Sequence, residues 1–109
     1  MILRGWPDFI EAVQREKGNV DVKGIKTLLM TALEDKDMFI HRQGERLEFY
    51  LNQAASGAMS KSELKEYVTN VARLTELMIP DMEGEVRTSA ELLYERVNKH
   101  LINGLLTVL

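Results

Sequence analysis

Three residues have the types and the spacing that metal binding requires. Asp37, His41 and Glu45 follow one another at intervals of four residues, so in a helix they lie on one face. Carboxylates and an imidazole on one face hold a divalent cation when a second helix supplies a further ligand. Di-metal helical bundles use Glu-x-x-His pairs, however, and this sequence contains none. The alternative interpretation is a solvated face with a weak Asp37–His41 pair.

The segment "YLNQAASGAMSKSEL", residues 50–64, contains a Ser-Lys-Ser triplet at positions 60–62. A phosphate-binding loop needs two glycines between a strand and a helix, and here only Gly57 precedes the triplet. Ser62 and Lys65 match the S-x-x-K pattern of some serine acyl enzymes, but the companion motifs are missing. We therefore interpret the segment as a corner between two helices. Gly57 suits a left-handed stop, and Ser60 with Glu63 forms a capping box.

The other ionisable residues indicate no catalytic group. His100 lies near the end of the last predicted helix, where the helix dipole favours a cation by about 0.3–1 kcal/mol. Glu91 and Glu95 form a charged stripe with Lys99. With two histidines and no cysteine, catalysis would have to depend on carboxylates, and their spacing singles none out. The sequence therefore predicts a non-enzymatic protein without a cofactor. A metal-binding bundle protein or enzyme using Asp37, His41 and Glu45 is the alternative.

The apolar residues of the carboxyl-terminal segment "LINGLLTVL" would cover more than one narrow stripe of a helix surface. An exposed apolar patch of that size usually marks a binding surface for a partner. The alternative is that a four-helix core takes up the whole segment. The sequence predicts an interface formed by Leu101, Ile102, Leu105, Leu106, Val108 and Leu109.

Apolar periodicity predicts the elements that position these residues. A short first helix opens at Pro7 and ends near Lys17. Asp21 caps a long second helix that runs to about Ser56 in a near-3.6-residue period. This period passes two weak points, the charged stretch 34–37 and Gly44, so a kinked or broken helix is the alternative.

Two further helices follow the corner. The third is predicted from Lys61 to about Ile79, because Pro80 disfavours helical geometry in the residue before it. The fourth is predicted to begin either at Pro80 or at Thr88, where Thr88 and Glu91 match a second capping box. No alternating strand pattern occurs. The fold class predicted is all-α: about four helices in a compact bundle with one long central helix, forming a single domain over residues 1–109.

Composition restricts the classes of function. Among 109 residues the chain has a formal net charge of −3, which argues against non-specific nucleic-acid binding. It contains no cysteine, and this excludes disulfides and fits a reducing compartment. No signal peptide and no membrane span is apparent, so we expect a cytoplasmic protein.

Two stretches carry a resemblance. "YLNQAASGAMSKSELKEYVTNVARLTELM" followed by "ERVNKHLINGLLTVL" resembles small uncharacterised helical proteins encoded in phage and prophage gene clusters. The likeness covers residues 46–79 and 95–109 and departs at "IPDMEG", where Pro80 interrupts a continuous segment. It implies a phage-related context, but no activity and no binding residues. The matching positions are Leu51, Gln53, Ala55, Gly57, Ser60, Val68, Leu74, Glu76, Leu77, Asn103 and Gly104.

These observations together predict a small interaction or assembly protein. We expect a homo-oligomer, with a dimer favoured, that associates through the long helix or the carboxyl-terminal helix. An unidentified protein partner or a membrane surface is the other candidate occupant of such a surface.

Overall fold

The computed structural model describes residues 5–109, and this range consists of helices joined by short connections, with no strand. The all-α prediction is therefore confirmed. None of the helices in this range is both long and apolar enough to cross a lipid bilayer. The elements in chain order are α1 (Trp6–Lys17), α2 (Val22–Glu34), α3 (Met38–Ala55), α4 (Lys61–Met78), a 3₁₀ turn (Ile79–Asp81), α5 (Gly84–Arg96), a π-helical segment (Val97–Leu105) and a final α-helical turn (Leu106–Val108).

The helices share one apolar core, with α3 at its centre. α3 packs against α1, α2, α4 and α5, and α4 packs against the π-helical segment as well. The resulting molecule is elongated, with principal extents of 44 × 23 × 22 Å. The large apolar side chains that are fully buried in this core are Ile10, Ile25, Leu28, Leu29, Ile40, Leu47, Leu51, Leu64, Val68, Leu101 and Leu105.

The predicted single helix from Asp21 to about Ser56 is two helices, because the chain breaks at residues 35–37. Asp35 adopts extended backbone geometry, and its carboxylate accepts a 2.8 Å hydrogen bond from the Asp37 amide. The Asp37 carboxylate in turn accepts hydrogen bonds from the amides of Phe39 and Ile40 and so caps α3. Short acidic side chains compete in this way with the backbone bonds of a continuing helix. The break thus lies in the charged stretch, and α3 runs through Gly44 without interruption.

The corner between α3 and α4 is confirmed. Gly57 has φ of +82°, the left-handed geometry that glycine adopts most easily. The Ser60 hydroxyl accepts a hydrogen bond from the Glu63 amide, and the Glu63 carboxylate accepts one from the Ser60 amide, both at 3.2 Å. The two residues form a complete capping box, so this serine satisfies the backbone of a helix end.

Replacing Ser60 by alanine is expected to lower the free energy of unfolding by about 0.5–2 kcal/mol, because one amide at the start of α4 loses its acceptor. Urea unfolding followed by circular dichroism measures the change. Ser62→Ala is the matched control, since Ser62 is exposed inside the same helix and should leave stability nearly unchanged. Equal effects of the two substitutions would contradict the capping role.

The predicted start of the last long helix is wrong at both candidate positions. Ile79, Pro80 and Asp81 form a 3₁₀ turn, and α5 begins at Gly84. Thr88 lies one turn inside α5, where its hydroxyl donates a 3.4 Å hydrogen bond to the Gly84 carbonyl. Its amide belongs to the helix backbone, so the second capping box does not form. The third helix ends at Met78, one residue before the predicted position.

The chain continues from α5 into a π-helical segment, which the sequence analysis did not predict. In this segment Val97, Leu101 and Leu105 are all fully buried, although they are four residues apart. In an α-helix each step of four residues rotates a side chain by about 40° away from the previous one. Steps of four residues still leave side chains on one side of a helix, as the buried Leu64, Val68 and Ala72 of α4 also show, and all three side chains of this segment lie in the core.

Candidate interaction surface

Each of the three candidate metal ligands is engaged with another group. The Asp37 carboxylate caps α3, as described above. His41 Nδ1 is 2.7 Å from the Leu33 carbonyl oxygen, and since a carbonyl only accepts, Nδ1 must carry the proton and donate. His41 Nε2 lies 3.5 Å from a Glu45 carboxylate oxygen. His41 thus links α3 to the end of α2.

No group of three or more histidine, aspartate or glutamate side chains within residues 5–109 is arranged to hold a metal ion. His41 and Glu45 remain as one adjacent pair on α3, and the break before Met38 turns Asp37 toward the backbone. The predicted three-ligand face therefore does not form in this structure, because the first ligand is at a helix end instead of inside a long helix.

His100 packs against the amino-terminal end of α2. Its Nδ1 lies 3.4 Å from an Asp21 carboxylate oxygen, and its side chain is only 13% exposed. Gly24 makes room for the ring, since a Cβ at this position would lie 2.6 Å from His100 Cε1. His100 therefore joins the π-helical segment to α2, which agrees with a structural interpretation.

The predicted carboxyl-terminal interface is largely core. Leu101, Leu105 and Leu106 are buried within the chain itself. Ile102, Val108 and Leu109 are half-buried and pack against the same core. Three of the six predicted interface residues therefore belong to the core, and the other three keep part of their surface exposed.

A small apolar recess lies between α2, α3 and α5, lined in part by Leu28, Ala32 and Leu93. Its volume of about 50 Å³ is enough for a few water molecules. This recess does not offer the space that a metabolite-sized ligand needs.

A buried polar network fixes how α3 packs on α4. Gln43 is fully buried, and its amide donates to the Val71 carbonyl at 3.2 Å and to the Thr75 hydroxyl at 3.0 Å. The Gln43 carbonyl oxygen accepts a 2.8 Å hydrogen bond from Arg46. Thr75 completes the network by donating to the Val71 carbonyl at 2.7 Å. Because buried polar groups are costly when unpaired, this network specifies one register between the two helices.

Aromatic stacking extends the same contact toward solvent. The rings of Tyr50 and Tyr67 stack with centroids 5.0 Å apart, and Phe49 meets Tyr50 edge-on at 5.9 Å. Gln43 contacts the late part of α4 whereas Tyr50 contacts its early part, so the two helices run antiparallel.

Large apolar side chains remain exposed beside this contact. At about 100° per residue, Arg46, Arg42 and Phe49 follow Gln43 around α3 on the side next to α4. Arg42, Arg46, Phe49 and Tyr50 also line one shallow groove. On α4, Leu74 and Met78 lie seven and eleven residues after Tyr67 and share its side of the helix.

We name this surface the α3–α4 face. It comprises Met38, Arg42, Arg46, Phe49 and Tyr50 of α3 with Glu66, Tyr67, Leu74, Leu77 and Met78 of α4. The exposed large apolar residues of the described range are Met30, Met38, Phe49, Tyr67, Leu74, Leu77, Met78 and Leu92. All of them except Met30 and Leu92 belong to the α3–α4 face, and Leu77 is 72% exposed.

The opposite side of α4 is occupied by α5. The interaction of the Tyr94 hydroxyl with the Glu76 carboxylate raises the pKa of Tyr94 above its ordinary value. The core contacts of α4 use Leu64, Val68 and Ala72. The exposed apolar stripe of α4 is therefore additional to the contacts that hold the helix in the fold.

Sequence reasoning placed Tyr50, Tyr67 and Leu74 on apolar helix faces but did not predict that they would stay at the surface. It missed Gln43 as a core residue, although Ile40, Gln43 and Leu47 follow the spacing of one buried stripe. In comparisons with known proteins, no family model, curated protein or solved structure matches this chain.

Proposed function

We propose that the chain is a small non-enzymatic interaction or assembly protein and that the α3–α4 face is its protein-binding surface. The observation that carries the proposal is the concentration of exposed large apolar side chains on this one pair of helices. Exposed apolar patches of this kind usually mark binding sites for other proteins.

The composition of the face supports a protein as its ligand. Methionine, tyrosine, phenylalanine and arginine are the residue types enriched in protein interfaces. Phe49 and Tyr67 are joined through Tyr50, so they present rigid aromatic surface at a low cost in side-chain entropy. The buried Gln43–Thr75 network below them holds both helices in place before a partner arrives.

The proposal moves the interface from the carboxyl-terminal segment to the second half of the predicted long helix. α3 supplies half of the face, and Leu101, Leu105 and Leu106 have too little exposed surface to contact a partner. We also propose the phage-related context that the resemblance implies, which the neighbouring genes would test.

Site-specific photo-cross-linking tests the proposed surface. A benzophenone side chain at position 77 on the α3–α4 face should form covalent adducts with protein in cells that make this chain at its natural level. The matched control carries the same group at Leu92, which is 41% exposed on α5 outside the face. We expect strong adducts from position 77 and few from position 92. Equal yields from both positions, or none from position 77, would contradict the assignment.

A further inference from the structure

We propose that the α3–α4 face binds a second copy of the same chain, in antiparallel orientation. This inference rests on the proposed function and names the partner. It follows from how charge and apolar groups are distributed along the face.

The two ends of the face carry complementary groups. At the end formed by the start of α3 and the end of α4, the contacts of Gln43 with Val71 and Thr75 place Arg42 at about the level of Leu74. At the other end, Glu66 directly precedes Tyr67, whose ring stacks on Tyr50, and Tyr50 in turn meets Phe49. Within residues 5–109 neither Arg42 nor Glu66 forms an ion pair, so both charges are available to a partner.

A two-fold axis across the middle of the face brings these ends together. The contacts of Gln43 with Thr75 and of Tyr50 with Tyr67 fix the relative position of α3 and α4 along their axes. Measured along these axes, Arg42 and Glu66 lie on opposite sides of Arg46 and at nearly equal distances from it. Rotation about an axis at the level of Arg46 sets the Arg42 end of each copy over the Glu66 end of the other. Two-fold interfaces need such self-complementary surfaces, in which each contact occurs twice.

A parallel arrangement lacks this complementarity. It would place Arg42 near Arg42 and Glu66 near Glu66, and like charges across an interface are unfavourable. The antiparallel arrangement instead offers each Arg42 a carboxylate and an aromatic ring, which attract a guanidinium in two different ways.

The size of the face is adequate for a dimer. Each helix of eighteen residues is about 27 Å long and about 10 Å wide. The pair therefore presents a flat footprint on the order of 500 Å², which does not include the additional surface of protruding side chains. Stable interfaces bury roughly 800 Å² of accessible surface per partner, and accessible area exceeds a flat footprint.

Reciprocal charge reversal tests the inference by sedimentation equilibrium. The wild-type chain should dimerise at high micromolar concentration. Arg42→Glu and Glu66→Arg should each weaken dimerisation by on the order of 10- to 100-fold, because each reversal creates repulsion at two symmetric places. An equimolar mixture of the two variants should recover the dimer. Arg15→Glu on α1 is the matched control and should dimerise like the wild type.

The outcomes separate this inference from the proposed function. Circular dichroism should show that both exposed substitutions leave the fold intact. A wild-type monomer at high micromolar concentration would overturn the dimer, as would unchanged dimerisation of Arg42→Glu or a mixture that does not recover. In each of these cases, cross-linking of position 77 to a different protein would leave the proposed function standing.

Discussion

Replacing Leu105 by aspartate is expected to abolish folding. Leu105 is fully buried in the π-helical segment, and removing a buried leucine side chain alone costs about 2.7–5 kcal/mol. The added carboxylate has no partner in this apolar core and increases the cost. The total approaches the 5–15 kcal/mol by which domains are usually stable. Far-ultraviolet circular dichroism and a thermal melt should show loss of helix and of the cooperative transition.

The matched control is Asn103→Asp, which adds a negative charge two residues earlier. Asn103 is exposed, so this variant should keep the cooperative transition of the wild type. A folded Leu105→Asp variant that has only lost self-association would contradict the core assignment. That result would restore the carboxyl-terminal segment as an interface.

Replacing Gly44 by alanine is expected to lower the free energy of unfolding, although the same change usually stabilises an open helix by up to about 1 kcal/mol. A Cβ at this position would lie 2.9 Å from Ala32 Cβ and 3.0 Å from the Leu33 backbone nitrogen. Neither atom belongs to a flexible side chain, so α2 would have to move away from α3. Crowding of this kind typically costs about 1–3 kcal/mol, and chemical denaturation would measure it.

A double-mutant cycle tests whether contact with Ala32 causes the destabilisation expected for Gly44→Ala. Ala32→Gly removes the closest atom, so the pair Ala32→Gly and Gly44→Ala should be less destabilised than the two single changes predict together. Strict additivity, or a Gly44→Ala variant more stable than the wild type, would show that α2 and α3 do not approach as closely as the structure places them.

The sequence was sufficient for the fold class and for the local helix ends that depend on side-chain chemistry. The capping box of Ser60 and Glu63 and the left-handed Gly57 are decided within a few residues, so the sequence pattern predicts them. The break at Asp35–Asp37 is harder to predict from the sequence, because apolar periodicity continues on both sides of it. Which aspartate captures which amide depends on the packing of α2 against α3, and no local pattern contains that information.

The surface could not be predicted for a similar reason. Leu105 and Leu74 both follow helical apolar spacing, yet one is fully buried and the other is exposed. The difference comes from how the helices pack on one another, as in the Gln43–Thr75 contact between α3 and α4, which joins distant parts of the chain.

A dilution series followed by ¹H–¹⁵N nuclear magnetic resonance tests most directly the central claim that the α3–α4 face binds a second copy of the chain. It maps the associating surface residue by residue. As the chain is diluted from millimolar to low micromolar concentration, the account predicts shifts at Arg46, Phe49, Leu74 and Leu77, with Met30 unchanged. Shifts concentrated instead at residues 102–109, or no shift on the α3–α4 face, would contradict it.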